Sequence, residues 1–341
     1  MTILVTGAAG FIGWSLVKEV CSGAEALKVV GVDSMNDYYD VGLKDWRLRE
    51  LEQYPGFTFI KGNIADKPFV DGIFEEYRPE IVVNLAAQAG VRPCGISPDT
   101  YIESNIIGFY NILEACRCYP VRHLVYASSS SVYGANTDIP YSVEAKTDTP
   151  LSLYAATKKS NELLAHAYSD LYGVPSTALR FFSVYGPAGR PDMAYFSFTD
   201  KLVRGETIQV FNQGRCSRDF TYINDIVEGM VRVMNRPPQR TYDEDGSSAP
   251  PYAVYNIGNS HPENLVDFIK VLHEELIRAG ILPEGHELEA QMEFVPMHPG
   301  DMAITCADTS ALERDFGFKP STPLREGLRS FVNWYSMYHH L

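Results

Sequence analysis

The stretch that most constrains this chain is its beginning, TILVTGAAGFIGWSLVKEV, where a β-branched run meets a glycine loop and then an amphipathic helical pattern. Gly7, Gly10 and Gly13 stand in the spacing GxxGxxG. Glycines at such a place permit a tight turn, a close backbone approach to a pyrophosphate and tight helix–strand packing. The helix that follows offers unpaired N–H groups and a partial positive charge to phosphate. Asp33 closes the next β-branched run, KVVGV, twenty residues past Gly13. A carboxylate there would bond the adenosine ribose hydroxyls and repel a 2′-phosphate, so NAD is the expected cofactor. The expected dinucleotide contacts are Gly7, Gly10, Phe11, Ile12, Gly13 and Asp33. Asn63 and Ile64, after the third strand, extend this set toward adenine, and Leu85, Ala86, Ala87 and Gln88 extend it along the fourth.

Short β-branched runs continue to alternate with longer amphipathic segments. Expected strands are TILVT, KVVGV, FTFI (57–60), EIVVNLA (80–86), HLVYA (123–127) and STALR (176–180), and the main expected helices cover 101–118 and 151–172. This alternation implies right-handed βαβ crossovers. The expected fold is α/β, a Rossmann-type doubly wound parallel sheet with a smaller C-terminal α/β substrate lobe. From about Gly186 the rhythm changes to short strands among Pro, Gly and Arg, which divides the chain into 1–185 and 186–341. Some C-terminal segments are expected to return to the first domain. The acidic, Gly/Pro-rich stretch 239–251 is expected to be a mobile loop.

A formal net charge of −14 argues against a nucleic-acid partner, which requires a basic surface. No apolar run approaches the roughly 20 residues of a membrane helix, and no charged n-region precedes the first strand. No membrane association or secretory signal is therefore expected. The six cysteines are scattered without a CxxC pair and the eight histidines form no HExxH. Reduced thiols, a cytoplasmic location and no metal are the expectations.

The fifth apolar run breaks into four serines, HLVYASSSSVYG. Serines leaving a strand can simply bond local backbone. At the carboxyl edge of a parallel sheet they can equally grip a ligand. Tyr154 and Lys158, in LYAATKK, favour the second reading, because residues four apart share one helical face. An ammonium and a positively charged nicotinamide would bring a phenol, with a reference pKa of about 10, toward the working range of a base. A serine hydroxyl across the cleft would orient the substrate oxygen. Farther along, Arg190, Arg215 and Arg218 stand in Gly/aromatic-rich loops as candidate partners for phosphate or carboxylate.

TGAAGFIG, SSSSVYG and YAATK together resemble the extended short-chain dehydrogenase/reductases, in particular the nucleotide-sugar epimerases and dehydratases. Further segments, DSMNDYYDVGLK, AAQAGVR, RFFSVYGPAGRPDMA, RDFTYINDIVEG and HPGDM, are similar to the UDP-glucuronate 4-epimerase pattern over nearly the whole chain. The resemblance implies a catalytic set of Tyr154, Lys158 and Ser129, with Tyr154 and Lys158 also against the dinucleotide and Ser130 and Ser131 beside the sugar. It places Ser183 and Arg190 near the sugar carboxylate, and Arg92 and Arg218 near UDP or the sugar. It also implies tightly held NAD, a homodimer, and epimerisation through a 4-keto intermediate. Decarboxylation of UDP-glucuronate and 4-epimerisation of a neutral UDP-hexose are the alternatives, followed by a non-catalytic NAD-binding protein. The Asp-Glu pair of 4,6-dehydratases is absent, since Ser130 and Ser131 hold its place. Pro93 and Cys94 depart from the family pattern, as do Ser183, in place of Thr, and Ala188, in place of a bulky aromatic.

Overall fold

The structure, a computed structural model, describes residues 1–23, 27–90, 97–242, 247–297 and 302–341. Its elements follow in order: β1 (Thr2–Thr6), α1 (Phe11–Ser22), β2 (Lys28–Asp33), α2 (Val41–Glu52), β3 (Phe57–Lys61), α3 (Lys67–Tyr77), β4 (Ile81–Asn84), α4 (Pro98–Tyr101) and α5 (Gly108–Cys118). The middle of the chain forms β5 (His123–Ser129), α6 (Leu153–Tyr172), β6 (Ser176–Phe181) and β7 (Ser183–Tyr185). The remainder comprises α7 (Ala194–Val203), β8 (Ile208–Val210), β9 (Ser217–Tyr222), α8 (Ile223–Met234), β10 (Thr241–Tyr242), β11 (Ser248–Ala249) and β12 (Tyr252–Ile257). It ends with β13 (Pro262–Asn264), α9 (Leu265–Arg278), β14 (Met292–Phe294), α10 (Ser310–Phe316) and α11 (Leu324–His339).

Seven strands form one sheet in the order β12-β6-β5-β4-β1-β2-β3, with every neighbouring pair parallel. The order reverses between β1 and β4. That reversal opens a crevice at the carboxyl ends of the strands, where doubly wound sheets bind ligands. Both faces are covered, and successive residues feed opposite cores. Ile3, Val5, Val83 and Val125 join one core, while Leu4, Val82, Leu124 and Tyr126 join the other. Period-two alternation with both partners apolar explains why these strands read as continuous β-branched runs. β12, from the C-terminal part of the chain, pairs with β6 at the edge of this sheet. The remaining strands make a small sheet, β13-β9-β7, and the pair β14-β8.

Three local features differ from the sequence expectation. β5 does not stop at Ala127 but carries Ser128 and Ser129 as strand residues, registered against Arg180 and Phe181 of β6. The expected helix over 101–118 contains a π-helical stretch, Ile102–Ile107. Its cause is Asn105, whose carbonyl accepts Asn161 Nδ2 at 2.6 Å and whose amide reaches Gln88 and Thr157. π-Bulges of this kind recur at functional sites. Within the stretch 239–251, residues on either side of 243–246 pair as the antiparallel β10 and β11, so hydrogen bonding orders its two arms.

Behind the serines lies a buried ion pair. Glu162 of α6 accepts Ser128 Oγ at 2.7 Å and Arg180 Nε and Nη2 at 2.8 and 2.9 Å. Burial pushes its carboxyl up, but the bonds and charge of Arg180 more than offset this and hold it below the usual value. Removing one partner of such a pair leaves an uncompensated buried charge. Glu162→Ala should lower the unfolding free energy by about 3–5 kcal/mol, read from urea denaturation. A loss within about 0.5 kcal/mol, the range of ordinary surface substitutions, would show that the pair does not hold α6 to β5.

Candidate active site

The glycine loop closes on itself. Gly7 adopts φ +71, and a Cβ there would lie 2.8 Å from Ala86 N; at Gly13 it would lie 2.1 Å from Gly7 O. α1 starts at Gly10 with no side-chain cap, so its first N–H groups face the crevice without a side-chain acceptor. Asp33, at the end of β2, accepts the N–H of Ala9 at 3.2 Å and of Met35 at 2.8 Å. Thr6 Oγ1, bonded to Asn84, accepts the N–H of Ala86 at 3.2 Å and so fixes the opposite wall. Asn105 brackets the Gln88 peptide, accepting its N–H at 2.8 Å and donating to its carbonyl at 3.0 Å. The Gln88 side chain is 5% exposed, lines the crevice and leaves Nε2 with no partner among the described residues. An orphaned donor, an uncapped helix start and a loop that admits no Cβ all fit a bound dinucleotide.

All fourteen residues expected to touch the dinucleotide line this one cleft: Gly7, Gly10, Phe11, Ile12, Gly13, Asp33, Asn63, Ile64, Leu85, Ala86, Ala87, Gln88, Tyr154 and Lys158. Ser129, Ser130, Ser131, Ser183 and Arg190 line it as well. Arg218 stands apart, in an adjoining hollow that shares Ser130, Ser131 and Ser183 with the cleft. Its Nη1 donates to the carbonyls of Ser217 and Ala303, both at 3.1 Å. Arg215 lines neither hollow. Arg92, Pro93 and Cys94 lie outside the described residues.

Tyr154 and Lys158 sit in the first turns of α6, which Ser152 caps by accepting the N–H of Ala155 at 3.1 Å. Ser129 Oγ accepts the N–H of Ser131 and donates to Ser131 Oγ, both at 3.1 Å, and lies close enough to the Tyr154 phenol to act on its pKa. Burial raises the Tyr154 pKa, opposed by the Ser129 bond and the charge of Arg190. Lys158 contributes less directly than the spacing suggests. Its Nζ donates to Ala127 O at 2.9 Å and lies 5.9 Å from the Tyr154 ring centroid. Burial brings the Lys158 pKa down to about 8. In the protein alone, then, the phenol is a weaker acid than in water, and Ser129 and Arg190 are the groups that relieve this.

Arg190 is held from behind. Its Nε and Nη2 donate to Asp192 at 3.0 and 2.6 Å, Tyr38 Oη donates to Asp192 at 3.1 Å, and the guanidinium lies 5.7 Å from the Tyr38 ring centroid. Burial works against ionisation of Asp192, but Arg190 holds its carboxyl below the usual value. Tyr38 and Asp192 escaped the sequence reading because they are 154 residues apart. Lys44 escaped it too. It lines the cleft with Nζ 4.0 Å from Asp33 and donates to Asn36 O and Oδ1, each at 2.8 Å. Burial lowers its pKa and the Asp33 charge opposes that. The only advance signal was the segment DSMNDYYDVGLK itself.

Among the described residues no cluster of three or more His, Cys, Asp or Glu could hold a metal, and no helix is long and apolar enough to cross a membrane.

Residues 3–258 match the model of the NAD dependent epimerase/dehydratase family. The chain is 48% identical to Protein CapI of Staphylococcus aureus over 345 residues, covering 99% of each chain. It is 42% identical to the probable UDP-glucuronate 4-epimerase of Rhizobium meliloti, covering 98% of this chain and 97% of that one. Among solved structures it is similar to the UDP-glucuronic acid 4-epimerase of Bacillus cereus in complex with UDP-glucuronic acid and NAD. That likeness has a TM-score of 0.86 at 30% identity and covers 99% of this chain and 100% of the other. A doubly wound sheet, a glycine loop at its crevice and a Tyr/Lys helix beside it agree with these matches, and the chain belongs to the NAD dependent epimerase/dehydratase family.

Proposed function

We propose that this chain is a UDP-glucuronate 4-epimerase, interconverting UDP-glucuronate and UDP-galacturonate with tightly held NAD. The observation that carries this reading is the cleft's composition. One guanidinium, Arg190, and the hydroxyls of Ser129, Ser130, Ser131 and Ser183 share it with Tyr154, Lys158 and the glycine loop. A cation among hydroxyls suits a hexuronate carboxylate better than a neutral hydroxymethyl group. The relatives named as UDP-glucuronate 4-epimerases support the same substrate. The proposed division of labour places the dinucleotide in residues 1–185 and most of the UDP-sugar contacts in 186–341.

Bound NAD supplies a hydride acceptor and donor, so C4 can be oxidised to a ketone and reduced again from its other face. Tyr154 takes the proton of the 4-hydroxyl and later returns it. Ser129, beside the phenol in the cleft, orients that oxygen. Lys158, which lines the cleft one helical turn beyond Tyr154, would hold the nicotinamide ribose and support the phenolate. Arg190 and the serine hydroxyls hold the carboxylate. The 4-keto form is a β-keto acid and would lose carbon dioxide if its C–C bond aligned with the carbonyl π-system, so this grip decides between epimerase and decarboxylase chemistry. Arg218 faces UDP. A homodimer is also proposed. Ile107, Tyr110, Leu163, Leu171 and Tyr172 leave apolar side chains exposed on α6 and the helix before β5, a surface suited to a second copy.

Purified protein given UDP-glucuronate without added NAD should form UDP-galacturonate alone in a proton NMR time course. A pentose product would make decarboxylation the activity, and turnover only of neutral UDP-hexoses would make it a different epimerase. Tyr154→Phe should retain bound dinucleotide and lose turnover by about 10²–10⁴-fold, the usual contribution of a positioned acid–base group.

Lys158 gives a pH signature in dinucleotide-free protein. Its folded pKa of about 8 lies below the ordinary lysine value, so the unfolded chain binds the extra proton more readily. Relative to Lys158→Met, wild-type stability should therefore be lowest below pH 8 and recover as pH rises toward about 10.4. Thermal melts of both proteins between pH 7 and pH 10 test this, and a stability difference independent of pH would contradict it.

A further inference from the structure

Arg47 of α2 lies outside every motif used so far, and its side chain is fully buried at 0% exposure. No carboxylate among the described residues pairs with it. Its compensation comes from four oxygens. Nη1 donates to Ala9 O at 2.9 Å and to Tyr39 Oη at 2.6 Å. Nε and Nη2 both donate to Ala188 O, at 3.1 and 2.7 Å, and Nη2 also donates to Gly189 O at 2.9 Å. Ala9 belongs to the glycine loop, and its own N–H is held by Asp33. Ala188 and Gly189 immediately precede Arg190. The planar fork of one guanidinium thus spans the dinucleotide wall and the loop that carries the sugar-facing cation.

The backbone at the far end is committed to this contact. Ala188 is fully buried with φ +54, a conformation uncommon for a residue with a Cβ. At Gly189 a Cβ would lie 1.6 Å from Tyr195 Oη, so no side chain fits there. The consecutive tyrosines serve both arginines: Tyr39 accepts from Arg47, while Tyr38 supports Arg190 through Asp192 and its ring. A lysine at position 47 would keep the charge, yet its three donors on one atom cannot reach both loops.

We propose that Arg47 is a positioning residue that sets the distance between the glycine loop and Arg190, and so determines the preference for an acidic over a neutral sugar. This rests on the reading of Arg190 as the carboxylate partner. A purely structural arginine would affect all ligands alike.

The test uses dinucleotide-loaded protein carrying Tyr154→Phe, so that ligands bind without turnover, and calorimetric Kd values for UDP-glucuronate and UDP-glucose. Adding Arg47→Lys should shrink the preference for UDP-glucuronate at least fivefold while the Kd for UDP-glucose moves less than twofold. Tyr39→Phe, which deletes one Arg47 acceptor and keeps the ring, should shift the preference in the same direction by about twofold and covers the case in which Arg47→Lys does not fold. Equal weakening of both ligands, or an unchanged preference, overturns the inference while leaving the functional reading intact. A Tyr154→Phe parent with no preference for UDP-glucuronate would instead overturn that reading, and this inference with it.

Discussion

The catalytic arrangement depends on one buried carboxylate. Glu162 stands one helical turn beyond Lys158 and two beyond Tyr154 on the same face of α6, and it grips Ser128 and Arg180 on two adjacent strands. Through it the helix bearing the phenol and the ammonium is fixed against the strand bearing the hydroxyls. Ser128 is committed to Glu162, and Ser129, next along β5, projects from the opposite face of the strand, as alternate strand residues must. The row of serines thus divides: one hydroxyl anchors the sheet to the helix, and the next lines the cleft beside Tyr154. The network continues outward, Arg180 to Tyr133 Oη and Tyr133 to Asn256 of β12, so the edge strand returning from the C-terminal part is tied to the same carboxylate.

A second constraint holds the glycine loop. The glycine loop has no room for a Cβ, and Asp33 and Arg47 hold the Ala9 peptide from its N–H and its carbonyl sides. Arg47 then reaches the loop before Arg190, and Asp192 with Tyr38 fixes that guanidinium. The glycine loop, the loop before Arg190 and the Arg190 guanidinium become parts of one hydrogen-bonded frame. Such a frame suits a reaction in which a ketone must expose either face to the same hydride position while its carboxylate stays clamped. Preorganised charge of this kind costs no reorganisation during the chemical step.

What the sequence disclosed and what it hid divide along contact range. The glycine loop, Asp33, the serine run and the Tyr154/Lys158 spacing are local patterns, and each occupies the cleft where its periodicity puts it. The seven-strand sheet was legible as well, because strands buried on both faces read as apolar runs. Arg47, Tyr38, Asp192 and Asn105 were not singled out, since their roles come from partners far along the chain: Arg47 meets Ala188 across 141 positions and Tyr38 meets Asp192 across 154. The π-helical stretch was invisible for the same reason, as its cause is a bond from Asn161. The i,i+4 spacing correctly put Tyr154 and Lys158 on one face, but it could not show that Lys158 would turn to Ala127 O, because that carbonyl belongs to another strand. Ala188, first noticed only as a departure from a pattern, proves to be a left-handed residue seated on a buried arginine.

The central claim is that one cleft removes a hydrogen from C4 and returns the same hydrogen to the opposite face. UDP-glucuronate carrying deuterium at C4, converted in ordinary water by protein with its retained dinucleotide, tests it most directly. The account predicts that the UDP-galacturonate formed keeps the label at C4, because the hydride never meets solvent. Loss of deuterium to water at a rate matching product formation would contradict it, since C4 would then be inverted by proton exchange and the Tyr154, Ser129 and Lys158 arrangement would serve some other chemistry.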